Sequence, residues 1–312
     1  WIMGGFLAAF LVKLPAVPLH NWLPDAHTQA PTAGSIVLAG LLLKTGAYGL
    51  YRFVIPVFPD ASTMFAPAGM IIGVVGILYG AKLAFSQTDL KRMIAYTSIS
   101  HMGFILLAVF SFNETALQGG VMQMVAHGIS TGALFMIAGS IQNRLHTKDI
   151  NEMGGFWDTA PRMGGFTLIF LLASLGLPGM ANFIAEFLIL LGTFKANMAI
   201  AIIAALALIA SAIYALYLMQ KVFYGTRPSG LSLNDFSLRE TVIGAAMVIV
   251  IFWLGLFPQT LFNTTKPPLK NIRYKIQQTN AEEKDNNASL SYFWEKEEKK
   301  RSDHSIIQEN YE

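Results

Sequence analysis

The 312 residues include no cysteine. That excludes disulfides, and it excludes zinc or iron–sulfur sites held by thiolates of this chain. Charge is scarce as well: 13% of the residues are Asp, Glu, Lys or Arg, against ~25% in soluble domains. The few charges nearly cancel, 22 basic against 19 acidic for a net +3. With the basic residues unclustered, nothing points to nucleic acid as a partner. Gly154-Gly155 and Gly164-Gly165 lack the spacing of a phosphate-binding loop, so no nucleotide site is indicated. The short alternating segments of a membrane barrel are missing. So is a basic leader followed by a small-residue cleavage site. Residue 1 is Trp, inside an apolar run, so the chain reads as a piece whose upstream part is missing.

What is present is apolar bulk, 54% of the chain. Its distribution divides the sequence in two. Residues 1–262 carry 13 basic and 10 acidic residues, whereas 263–312 carry 9 and 9. The first region reads as a polytopic membrane domain. The second reads as a hydrophilic tail, expected to be disordered from its Lys, Glu, Asn and Ser content, with YFWEKEEKK (292–300) able to form a surface helix. Eight apolar segments are recognisable, at about 1–19, 33–58, 65–85, 93–112, 116–141, 164–191, 198–224 and 241–262. Lipid admits only helices or closed barrels, so the predicted fold class is an all-α polytopic bundle. Pro15 and Pro18 interrupt the first segment, and LGLPGMANF (175–183) interrupts the sixth. Backbone freed at membrane depth must face protein or a wet cavity, and paired broken helices mark ion sites in many transporters. With eight passes, the loops after passes one, three, five and seven share a side. They hold Lys91, Arg92, Arg144, Lys148, Arg162, Lys221, Arg227 and Arg239, which predicts that this side is cytoplasmic or matrix-facing.

Five ionisable residues lie deep in these segments, away from the interfacial turns at their ends: Lys13, Lys44, His101, His127 and Glu186. A charge at the bilayer centre costs about 2.5–3.5 kcal/mol on the insertion scale, so such residues usually act. At 1.5 Å per residue, Lys44 and His127 are each roughly 16 Å into their helices, and Glu186 is roughly 12 Å beyond Pro178. Four helices thus place Lys, His and Glu near one depth, the pattern of a proton relay. Burial weakens a lysine's hold on its proton and histidine exchanges near neutrality. Hydroxyls that could carry water surround the histidines: Tyr96, Thr97, Ser98 and Ser100 near His101, and Ser130 and Thr131 near His127. The competing readings are a snorkelling Lys13, histidines that merely pack, and a Glu186 that only balances a lysine. Lys82 and Arg52 read as interfacial. His20, Asp25 and His27, in the polar block after the first segment, read as loop or pathway residues rather than metal ligands.

The stretch KLPAVPLHNWLPDAHTQAPTAGSIVLAGLLLKTGAYGLYRF (13–53) resembles the antiporter-like proton-pumping subunits of respiratory complex I. The resemblance continues through QTDLKRMIAYTSISHMGF (87–104), MVAHGISTGALF (124–135), LGLPGMANFIAEF (175–187) and LRETV (238–242), covering about 1–262. It implies a fourteen-helix fold of two inverted repeats, of which this chain holds helices seven to fourteen. It implies that Lys13 is the broken-helix lysine of the first repeat, with its glutamate partner upstream of residue 1, so that this stretch alone does not pump. Lys44 matches the connecting lysine, His101 and His127 the second-repeat histidines, and Glu186 the terminal acid. Glutamate at 186, where sister subunits carry lysine, favours the M type over the L and N types. Arg239-Glu240 match a structural motif. The resemblance further implies no cofactor in this chain: NADH, FMN, iron–sulfur clusters and quinone belong to other subunits of complex I. Its partners would be those membrane subunits and the lipid bilayer, in a bacterial inner membrane or, alternatively, a mitochondrial one. The alternative reading is a subunit of a multisubunit cation/proton antiporter or a membrane-bound hydrogenase. A non-pumping scaffold is the third, and it predicts that apolar replacement of the buried charges is harmless.

Overall fold

The computed structural model describes residues 1–228, 231–272, 274–276 and 278. Among the described residues up to 256, ten helices carry the architecture: α1 Ile2–Lys13, α2 Trp22–Gln29, α3 Thr32–Val57, α4 Pro59–Phe85, α5 Leu90–Phe110, α6 Glu114–Leu145, α7 Pro161–Ser174, α8 Ala181–Ala196, α9 Met198–Val222 and α10 Leu238–Leu256. Six of them, α3, α4, α5, α6, α9 and α10, are long and apolar enough to cross a membrane. The other four form two broken pairs, α1 with α2 and α7 with α8. No named strand occurs among the described residues.

The helix ends follow from local chemistry. Asp89 caps α5 by accepting from the Arg92 amide at 3.0 Å, and Asn113 caps α6 by accepting from the Thr115 amide at 2.9 Å. Such caps satisfy amides that have no partner inside the helix. Pro161 opens α7, and its free amides are met from afar: Asp235 accepts from Arg162 N–H at 3.1 Å and from Met163 N–H at 2.9 Å. Ser237 and Glu240 form a reciprocal capping box on α10. The same Glu240 carboxylate pairs with Arg144 at 2.7 Å and accepts from Ser140 at 2.8 Å, tying α10 to the end of α6.

Helix α5 is the centre of the bundle. Its most apolar window is wholly buried, which fits a helix that is apolar on every side. It packs against α2, α4, α6 and α8. The α4–α5 contact is a small-residue one: Gly73, Gly76 and Gly80 of α4 face Ser100, Gly103 and Leu107 of α5. In lipid, close backbone packing replaces the hydrophobic effect as the force holding helices together.

The connecting loops establish sidedness. Lys148, after α6, donates to the Thr28 carbonyl at the end of α2 and pairs with Asp89 at 3.2 Å. Trp157 N–H, before α7, donates to the Phe223 carbonyl just after α9 at 3.0 Å. Loops after passes one, three, five and seven therefore meet on one face. Lys91, buried there, donates to the Ala30 carbonyl at 3.1 Å, a cation on the carbonyl end of α2.

Two expectations change. The block NWLPDAHTQ is not a loop but the helix α2. Pro24 is only its third residue, where a missing N–H breaks no helical bond, and Leu23 and His27 bury against the bundle. The packed chain also does not stop at 262: residues 259–272 are helical. Leu269, Ile272 and Ile276, spaced by three and four, are buried in the main core, so the start of the tail is an amphipathic helix. The rest of the tail, including 292–300, lies outside the described residues.

Candidate functional site

Lys44 enters the bundle just beyond a π-helical turn at Leu38–Leu42. Such turns re-aim side chains within a helix and recur at functional sites. The half-buried ammonium donates to the Ala39 carbonyl within that turn. It also lies 2.7 Å from His127 Nδ1 on α6. Two glycines permit the approach: a Cβ on Gly128 would stand 2.9 Å from the Gly40 carbonyl oxygen. The Lys44 stem lines an apolar groove of about 480 Å³ with Ile36, Gly40, Val125, Gly128 and Met247.

His127 is wholly buried, and its Nε2 has no partner among the described residues. Its ring meets that of His101, from α5, edge to face with centroids 5.3 Å apart. His101 Nδ1 lies 3.0 Å from Glu186 Oε1 of α8, both side chains being under 5% exposed. His101 Nε2 lies 3.1 Å from Ser174 Oγ at the end of α7. Gln123, one turn before His127 on α6, sets its amide nitrogen 3.1 Å from His101 Nδ1 and 3.3 Å from Glu186 Oε1. The break between α7 and α8 makes this possible. Gly176 turns with φ 80°, and a Cβ there would stand 3.0 Å from Glu186 Oε2. The tight turn thus folds over the carboxylate.

Lys44, His127, His101 and Glu186 therefore form one buried row across α3, α6, α5 and α8. In that row it is His127, and not His101, that touches the lysine. Lys13 does not join the row. It is exposed at the end of α1 and makes no ion pair among the described residues. Lys82 and Arg52 are exposed too. Among the hydroxyls near His101, Thr97 and Ser98 donate to the Ile94 carbonyl and Ser100 to that of Ile77. The hydroxyl on His101 comes instead from Ser174, across the bundle. Ser130 accepts from Asn182 at 3.3 Å, and Thr131 Oγ has no partner among the described residues.

The sequence reading missed Gln123, Ser174 and the place of His27. His27 is wholly buried on α2, stacked on Phe135 at 4.1 Å, with both ring nitrogens unpartnered. An amide or a serine inside an apolar run carries no charge to draw attention. Only the depth of Gln123, four residues from His127 on one helix face, was a usable signal. Among the described residues no three His, Asp or Glu side chains gather as metal ligands would.

Residues 1–213 match the family model described as NADH:quinone oxidoreductase/Mrp antiporter, transmembrane. The chain is 47% identical over 275 residues to NADH-quinone oxidoreductase subunit M of Escherichia coli, covering 87% of this chain and 54% of that protein. It is 46% identical over 272 residues to the subunit M of Pseudomonas aeruginosa, covering 87% and 53%. Among solved structures it is similar to a chain of respiratory complex I from Thermus thermophilus, with TM-score 0.84, 35% identity, 88% of this chain and 58% of that one covered. The chain thus spans about half the length of the curated relatives it matches. By its broken helices, its buried charges and this match over two thirds of its length, the chain belongs to the NADH:quinone oxidoreductase/Mrp antiporter family of membrane proteins, and its fold is that family's antiporter-like helical bundle.

Proposed function

We propose that this chain is part of a proton-translocating subunit of NADH:quinone oxidoreductase in a bacterial inner membrane, and that Lys44, His127, His101 and Glu186 are its relay. The observation that carries the reading is the continuity of the row. Lys44 Nζ is in hydrogen-bonding contact with His127, and His101 with Glu186. Only the edge-to-face step between the two rings lacks a direct hydrogen bond. In this reading a proton leaves the Lys44 ammonium for His127 Nδ1. A ring turn or a bridging water carries it on to His101. From His101 Nδ1 it passes to Glu186 Oε1. The protein's part is to hold these groups in a low-dielectric interior, where each transfer changes the electrostatics felt by the next.

NADH, flavin, iron–sulfur clusters and quinone would be bound by other subunits, which are also its membrane partners, and the chain itself would supply proton chemistry alone. Lys13 belongs to the first repeat's site and acts with groups beyond this chain. The test uses the full-length subunit in its complex. Lys44→Ala and Glu186→Gln should each lower proton pumping and coupled NADH–quinone activity by tenfold or more, an effect of about 1.4 kcal/mol. Normal pumping in both variants would sink the relay.

A further inference from the structure

Gln123 is wholly buried at the junction where His101 meets Glu186. Its amide nitrogen carries two hydrogens and no lone pair to accept with. That nitrogen faces two acceptor positions at once, His101 Nδ1 at 3.1 Å and Glu186 Oε1 at 3.3 Å. Its amide oxygen, equally buried, has no partner among the described residues. With the amide nitrogen turned toward the ring, one proton arrangement is favoured. His101 is neutral with the proton on Nε2, which donates to Ser174 Oγ at 3.1 Å. Nδ1 is bare and accepts from Gln123. Glu186 Oε1 accepts the second amide hydrogen. In that arrangement the 3.0 Å separation of Nδ1 from Oε1 holds no proton to transfer.

We propose that the Gln123 amide is a rotatable latch and a positioning residue for the His101–Glu186 step. As seen, its nitrogen holds Nδ1 proton-free. When the row delivers a proton to Nδ1 while Nε2 keeps its own, the amide turns by half a revolution, its now unpartnered oxygen accepts from Nδ1–H, and the added proton stands beside Glu186. An N–H facing Nδ1–H would set donor against donor, so the amide orientation and the histidine tautomer are coupled. A buried oxygen without a partner raises the energy of the first state and keeps the second accessible. The inference rests on the relay reading for its purpose, but not for its geometry.

The test is the tautomer of His101. In the full chain reconstituted into lipid bilayers and labelled with 15N-histidine, solid-state NMR reads which ring nitrogen bears the proton, and the His101 signal is assigned by its loss in His101→Gln. The unaltered chain should show His101 as the Nε2–H form. Gln123→Met, nearly equal in shape but without an amide, should move the balance toward Nδ1–H by roughly fivefold, the worth of one hydrogen bond. Gln123→Leu, which likewise lacks the amide, should move it the same way. An unchanged tautomer in both variants overturns the latch, whatever pumping does. A shifted tautomer together with normal pumping in Lys44→Ala and Glu186→Gln upholds the latch and overturns the relay.

Discussion

Glu186 depends on a residue with no side chain. Gly176 has φ 80°, a region that costs an ordinary L-residue about 1–2 kcal/mol. Its place under the carboxylate adds a second demand, since a Cβ would stand 3.0 Å from Glu186 Oε2. Gly179, in the same break, has φ 95° but nothing within 4 Å of a built Cβ. The two demands can therefore be separated. Gly176→Ala and Gly179→Ala should both lower the thermal unfolding midpoint. Only Gly176→Ala should also cut pumping severalfold, because it alone displaces Glu186 from His101. Equal loss of pumping in both would show that the contact is not what matters. The same logic explains why Gln123 and Ser174 are invisible in the sequence. Neither is unusual in an apolar segment, and each gains its meaning only from a partner on another helix.

At the scale of elements, helices are placed by what their backbones can approach. Helix α6 reaches α3 at Gly128, and that contact sets the Lys44–His127 separation of 2.7 Å. Gly128→Ala should favour the α6 helix locally by about 1 kcal/mol, as alanine does over glycine. It should nevertheless lower pumping, because its Cβ would press on the Gly40 carbonyl and part the two helices. Unaltered pumping would mean that this spacing is slack. The breaks were legible because proline and glycine interrupt apolar runs for reasons local to the backbone. The helical nature of 22–29 was not legible. Its polar residues are helical through tertiary contact, with His27 stacked on Phe135 and the Thr28 and Ala30 carbonyls met by Lys148 and Lys91.

At the scale of the molecule, one bundle is wrapped around α5 and closed by the helix at 259–272. Leu269 of that helix is 4% exposed in the main core. Leu269→Ala should lower stability by about 2–3 kcal/mol, in the range for a buried leucine, read as the unfolding midpoint in detergent. No change would show that this helix does not pack on the spans. The start of the tail was read with the rest because its charges were averaged over fifty residues, although Leu269, Ile272 and Ile276 recur at helical spacing.

The sequence alone determined the all-helical membrane class, the two breaks and the candidate charges. Each of these is written in local quantities: run length, proline and glycine, and the cost of a charge in lipid. The tertiary structure decided which of those charges meet. It set His127 against Lys44, His101 against Glu186, and left Lys13 aside. Those choices depend on how α3, α5, α6 and α8 are rotated and how closely their glycines allow them to approach. A buried titratable side chain shows itself in one dimension, but its partner is chosen in three.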